Sequence, residues 1–170
     1  MKLFSSILGL ILFSTNVFAG DNSPICMGDN QPLPVINEQI LHWKKTTPNS
    51  TKKRGHIEGV LTKIYPNKTG HVHIQVQIGQ ESYETIEVIY NTKFGKVGAM
   101  QVGSTVEACG DYITSNKRTG RYKPSPDGAI IHWVHRSNND HHESGYMMID
   151  GVVYGGEQNI YQFELPEMIH

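Results

Sequence analysis

HVHIQVQI, residues 71–78, sets Val72, Ile74, Val76 and Ile78 against His73, Gln75 and Gln77 in strict alternation. A period of two places the apolar side chains on one face of an extended chain and the polar ones on the other, which describes a half-buried β-strand. Residues 57–64 read as its partner, with Gly59 as an expected bulge, and Pro66-Asn67-Lys68-Thr69-Gly70 supplies the turn between them. Further strands are expected at 85–90, 105–113 and 129–134. Asp150-Gly151, between 146–149 and 152–154, is a two-residue hairpin signal.

One segment breaks from this period. Val35, Ile36, Gln39, Ile40 and Trp43 recur at helical spacing after Pro34, which suits a first helical turn. Lys44 and Lys45 complement the C-terminal end of that helix dipole. Residues 46–53 then read as a polar loop. A first strand bent at glycine, a hairpin to the next two, and a fourth strand after Val102-Gly103 resemble an OB-fold. The expected fold class is mainly β: a small OB-like barrel with one N-terminal α-helix and a C-terminal β-hairpin. An immunoglobulin-like sandwich is the competing architecture.

The ends of the chain point outward from the cytoplasm. Lys2, an apolar run from Leu8 to Phe13 and the small-residue exit Val17-Phe18-Ala19 read as a signal peptide over residues 1–19, too short for a permanent span. The expected location is therefore periplasmic or secreted, with no stable membrane insertion after cleavage. Residues 20–33 read as a tether, 34–155 as one OB-like domain including the helix, and 156–170 as a tail. Fifteen Lys and Arg against sixteen Asp and Glu give a formal charge of −1. No global field then draws the chain to nucleic acid or membrane.

Cys26 and Cys109 are the only cysteines. An even pair in an oxidising compartment points to a disulfide. It would close a loop of more than eighty residues and stabilise the fold by at most about 4.5 kcal/mol in the chain-entropy treatment. Two free buried thiols are the alternative. A two-cysteine zinc site is disfavoured, because neither residue lies in a Cys-x-x-Cys pair.

HWVHRSNNDHHESGY, residues 132–146, holds four of the nine histidines. Imidazole titrates and binds transition metals near neutral pH. His132, His135 and His142, with His71 as fourth ligand, form the candidate set for zinc or another divalent transition metal, and His73 is the alternative fourth ligand. Positions 132 and 135 face opposite sides of a regular strand, so both reach one ion only if the strand bends or ends near Val134. With a metal-bound water in an open position, Glu143 is the candidate catalytic base, and Asp140 is the other carboxylate. Solvated or structural histidines, and acid–base catalysis without metal, stand beside that reading.

HWVH at 132–135, HESGY at 142–146, and then Gly151, Val153 and Tyr154 resemble a family of small exported bacterial proteins known only as a domain of unknown function. The likeness runs from about Gly55 to Tyr154 and takes in His71 and Tyr90-Asn91. It implies an OB-like barrel and no known activity. Arg136 stands where members typically carry a second histidine, and Tyr146 where they carry tryptophan.

No Gly-x-Ser-x-Gly elbow, phosphate loop or catalytic cysteine motif is present, which disfavours acyl transfer and nucleotide hydrolysis. The leading expectation is an exported binding module whose histidines hold a divalent transition metal or a small anionic ligand. A metal-dependent hydrolase of phosphodiesterase or nuclease type is one alternative. The other is a module for single-stranded nucleic acid or an envelope protein. There, Lys52, Lys53, Arg54, Lys117, Arg118, Arg121 and Lys123 would attract phosphate, with Tyr112, Tyr122 and Trp133 nearby for stacking. Trp133, opposite His132 on its strand, is expected in the core.

Overall fold

A computed structural model describes residues 24–66, 69–138 and 142–156. The expected signal peptide, Asp140, His141 and all but the first residue of the expected tail lie outside the described residues. A short hairpin, β1 (Met27–Gly28) with β2 (Gln31–Pro32), leads into helix α1 (Asn37–Thr46). Five strands follow: β3 (Lys52–Ile64), β4 (His71–Gln77), β5 (Thr85–Asn91), β6 (Thr105–Thr114) and β7 (Ala129–His132). They run in the order β3-β4-β5-β7-β6, and β6 pairs back onto β3 to close a barrel. The β5–β7 pair is parallel and the other barrel pairs antiparallel. This is an OB-like barrel.

The hairpin of β8 (Tyr146–Ile149) and β9 (Val152–Tyr154) extends the sheet from β6. Asp150 and Gly151 both take positive φ, +48° and +81°, as a two-residue turn of that hand requires. The alternation of β4 is realised: Val72, Ile74 and Val76 are buried, and His71, His73, Gln75 and Gln77 face outward. Ile57, Leu61, Ile86, Val88, Ile131 and Met147 complete the barrel interior. Ile40 of α1 is fully buried among them, and Trp43 packs 5.4 Å from Tyr112. Among the described residues, no helix is long and apolar enough to cross a membrane.

Cys26 and Cys109 form a disulfide with Cα atoms 5.5 Å apart. It ties the β1–β2 hairpin, within the segment expected as tether, to the middle of β6. Several expected boundaries move. The helix begins at Asn37 rather than Pro34, because the N–H groups of Leu33 and Ile36 are bonded to Cys26 O (2.8 Å) and His56 O (2.9 Å), and Ile36, at φ −125° and ψ 40°, is not helical. Strand β3 begins at Lys52, inside the expected loop. Lys52 to His56 show no apolar alternation, yet they pair residue for residue with Ile113 to Cys109. The irregularity in β3 falls between Leu61 and Lys63 instead of at Gly59. At Gly59 a Cβ would lie 3.0 Å from the carbonyl carbon of Gln77, so glycine there serves a close strand crossing.

Candidate functional site

Strand β7 leaves the sheet at Trp133, which takes φ +51°. A left-handed conformation costs a side-chain-bearing residue about 1–2 kcal/mol. That single residue resets the alternation. Val134, not Trp133, enters the core, and Trp133 stays half-buried at the surface with Lys52 Nζ 4.5 Å from its ring centre. The bend needed for His132 and His135 to share a side therefore arises at Trp133. Gly155 (φ +73°) lets the chain after β9 close against this turn: a Cβ there would lie 2.7 Å from Val134 O and 3.0 Å from His135 Cα.

A line of rings follows. Phe94 stacks on His135 with centroids 3.6 Å apart and planes 10° apart. His135 meets His142 edge-on at 5.1 Å, and His142 lies 5.9 Å from Trp133. Trp133 lies 4.5 Å from His132, which lies 6.5 Å from His71, itself 6.3 Å from His73. His71, His132, His135 and His142 are thus neighbours in one array, but in two groups on either side of Trp133. Among the described residues, no three His, Cys, Asp or Glu side chains form a group ready to hold a metal ion.

Hydrogen bonding divides the histidines further. Nδ1 of His71 bonds Thr69 O (3.1 Å), Nδ1 of His135 bonds Arg136 O (2.8 Å), and Nδ1 of His142 bonds Glu143 O (2.9 Å). A carbonyl only accepts, so each neutral ring carries its proton on Nδ1 and its lone pair on Nε2. His73 directs Nδ1 at Glu87 Oε1, 2.7 Å away. Among the described residues, Nε2 of these four rings takes no hydrogen-bond partner, and neither does either nitrogen of His132. Burial, then the neighbouring His71 and His135, push His132 down to about 4, against the opposing pull of Asp111. Burial also holds His135 below its ordinary value, with the Arg136 carbonyl opposing and His142 adding to the shift. At neutral pH these are uncharged bases.

His56 is the opposite case. Its Nδ1 faces Leu33 O at 2.8 Å and its Nε2 faces Glu107 Oε1 at 2.9 Å, where the Tyr146 hydroxyl also donates. That ring is tied at both ends.

Glu143, the expected base, stands 3.4 Å from Arg54 Nε and accepts a 3.4 Å bond from the Asn30 N–H. Arg54 also reaches Asp111, Met27 O and Ser144 O. Lys52 pairs with Asp111 at 2.7 Å, Lys53 lies over Trp43, and Tyr112 is fully buried. Lys52, Lys53 and Arg54 of β3 therefore each contact a neighbouring side chain. Phe94 and Glu87 escaped the sequence reading. Nothing local marks Phe94. Glu87 could have been found from the β4–β5 register, which sets His73 opposite Ile89, one outward position along from Glu87.

A family model described as a protein of unknown function, DUF3465, matches residues 53–155. The match spans the barrel from the second residue of β3 onward, both histidine groups and the terminal hairpin. No curated protein matches the chain.

Proposed function

The chain belongs to this family of proteins of unknown function, and from its site we propose an exported binding module that holds a divalent transition metal on Nε2 of His135 and His142. Zinc or a neighbouring ion suits imidazole donors. The observation that carries the proposal is two rings 5.1 Å apart, each with Nδ1 committed to a backbone carbonyl and Nε2 bare. Metal–nitrogen bonds of about 2.0–2.1 Å place a ring centre about 3.2 Å from the ion, so two rings at a tetrahedral angle stand about 5.2 Å apart. A backbone carbonyl holding the second ring nitrogen is the usual outer support of a metal-bound histidine.

Two protein donors leave coordination positions for water or a small anionic ligand. An anion alone has less support, because His132 and His135 carry no charge at neutral pH. The hydrolase alternative has less support as well, since Glu143 is engaged in an ion pair with Arg54 Nε at 3.4 Å. Export is supported by the signal-like N-terminus and the Cys26–Cys109 bridge. Equilibrium dialysis of metal-stripped protein against zinc tests the site. The double variant His135→Ala/His142→Ala should lose one zinc equivalent while its thermal unfolding stays cooperative. Equal zinc uptake by wild type and variant would overturn the proposal.

A further inference from the structure

We infer that the loop between β6 and β7 is a docking surface for an anionic lipid bilayer, engaged through its phosphate headgroups. The surface shares no residue with the proposed metal site. The net charge of −1 conceals a segregation. Residues 44–54 and 115–125 hold nine of the fifteen Lys and Arg and none of the sixteen Asp and Glu. The rest of the chain carries six basic residues against all sixteen acidic ones. A split of this kind gives one region a positive potential that the whole-chain charge does not report.

Hydrogen bonds bring the two basic stretches together. Asn49 Oδ1 accepts from the N–H groups of Asn116 and Lys117, both at 3.0 Å, and its Nδ2 donates to Thr119 Oγ1 at 2.9 Å. The Ser50 N–H donates to Thr114 O at 2.8 Å. At the tip, Thr119 and Tyr122 exchange backbone bonds of 3.1 and 3.0 Å around Gly120, at φ +56°. The loop is therefore braced. Every residue from Asn116 to Pro124 is exposed, so it stands out from the barrel instead of lining a cleft.

Some cations at this end are already engaged. Asp111 takes Lys52 and Arg54, Glu84 lies 4.0 Å from Lys45, and Lys44 donates to Thr85 O. Lys117, Arg118, Arg121 and Lys123 form no ion pair among the described residues. Among them stands Tyr122, 64 % exposed, with Arg121 Nη2 3.2 Å from its hydroxyl. Tyrosine with cations around it suits the headgroup level of a membrane, where the ring meets the apolar boundary and the hydroxyl meets water. A nucleic-acid strand fits less well. Stacking needs free rings in succession, but Tyr112 is fully buried, and Lys53 and Lys52 lie over Trp43 and Trp133.

Co-sedimentation of the full chain with lipid vesicles tests the surface. Wild type and variants share one N-terminus, so the difference between them reads the loop. Binding should be stronger to mixed phosphatidylglycerol–phosphatidylcholine vesicles than to phosphatidylcholine alone, and should fall as salt is raised. Each Lys or Arg near an anionic leaflet strengthens partition about five-fold. Lys117→Gln/Arg121→Gln/Lys123→Gln should therefore weaken binding about ten-fold or more, with thermal unfolding unchanged. Lys63→Gln/Lys93→Gln/Lys96→Gln, the same charge change outside the two basic stretches, should leave binding intact. Tyr122→Ser should weaken it about two-fold. Equal loss in both triple variants, or equal binding to the two kinds of vesicle, would overturn the docking surface. Capture of a single-stranded oligonucleotide by the loop, without vesicle binding, would overturn the lipid and assign the loop to nucleic acid.

Discussion

His56 and His135 are equally buried, each 8 % exposed, yet they are built for different ends. Around His56 the chain supplies two oxygen acceptors, Leu33 O and Glu107, and adds the Tyr146 hydroxyl. Around His135 it supplies one, Arg136 O, with Phe94 flat against the ring. Depth does not separate a structural imidazole from a binding one. The number of satisfied ring nitrogens does, because an imidazole serving only the fold gains by bonding both.

The largest effect expected belongs to the His56 side. Replacing both Cys26 and Cys109 by Ser frees the β1–β2 hairpin that carries the chain to Leu33, and should cost about 2–5 kcal/mol in denaturant unfolding. Where that variant is folded it should still bind zinc. Loss of zinc binding by folded variant would break the proposed separation of the two regions.

Acid should next strike the metal-binding side. The pKa of His132 falls from its ordinary 6.5 to about 4 on folding. Above pH 6.5 the ring is neutral in both states and contributes no pH dependence. Between 6.5 and 4 the unfolded chain takes up the proton and the folded one does not, so stability falls as pH falls. Below 4 the loss levels off, at roughly 3 kcal/mol. Urea unfolding with chelator present at pH 7, 5.5 and 4 should show the decline, and His132→Gln should flatten it. An unaltered slope in the variant would assign the decline elsewhere.

Single substitutions sharpen the contrast at smaller scale. His56→Ala removes the ring's bonds to Glu107 and the Leu33 carbonyl and should cost about 2 kcal/mol with zinc affinity unchanged. His135→Ala should cost less stability than that and abolish zinc binding at its site. The smallest effect is a gain. The Tyr90 hydroxyl, among the described residues, is the one fully buried side-chain polar atom without a hydrogen-bond partner. Tyr90→Phe should therefore leave stability unchanged or raise it by up to about 1 kcal/mol, and a marked loss on thermal unfolding would reveal an unrecognised partner.

Much of the barrel was legible because its strands alternate cleanly. The pattern of 71–78, the Asp150-Gly151 turn and the paired cysteines each carry one local rule, and each appears in the structure. The start of β3 was hidden, since Lys52 to His56 are placed by pairing with β6 and not by hydrophobic period. The candidate site was legible as residue types only. His71, His132, His135 and His142 could be named, but their division into two groups depends on the backbone of Trp133. Nothing in the letters HWVH signals that a tryptophan will take positive φ.

Imidazole nitrogen NMR of ¹⁵N-labelled, metal-free protein, followed by zinc addition, tests the central claim most directly. His135 and His142 should each begin with a proton on Nδ1, and zinc should shift their Nε2 resonances while those of His56 stay fixed. Doubly bonded rings at His135 and His142, or Nε2 signals indifferent to zinc, would contradict it.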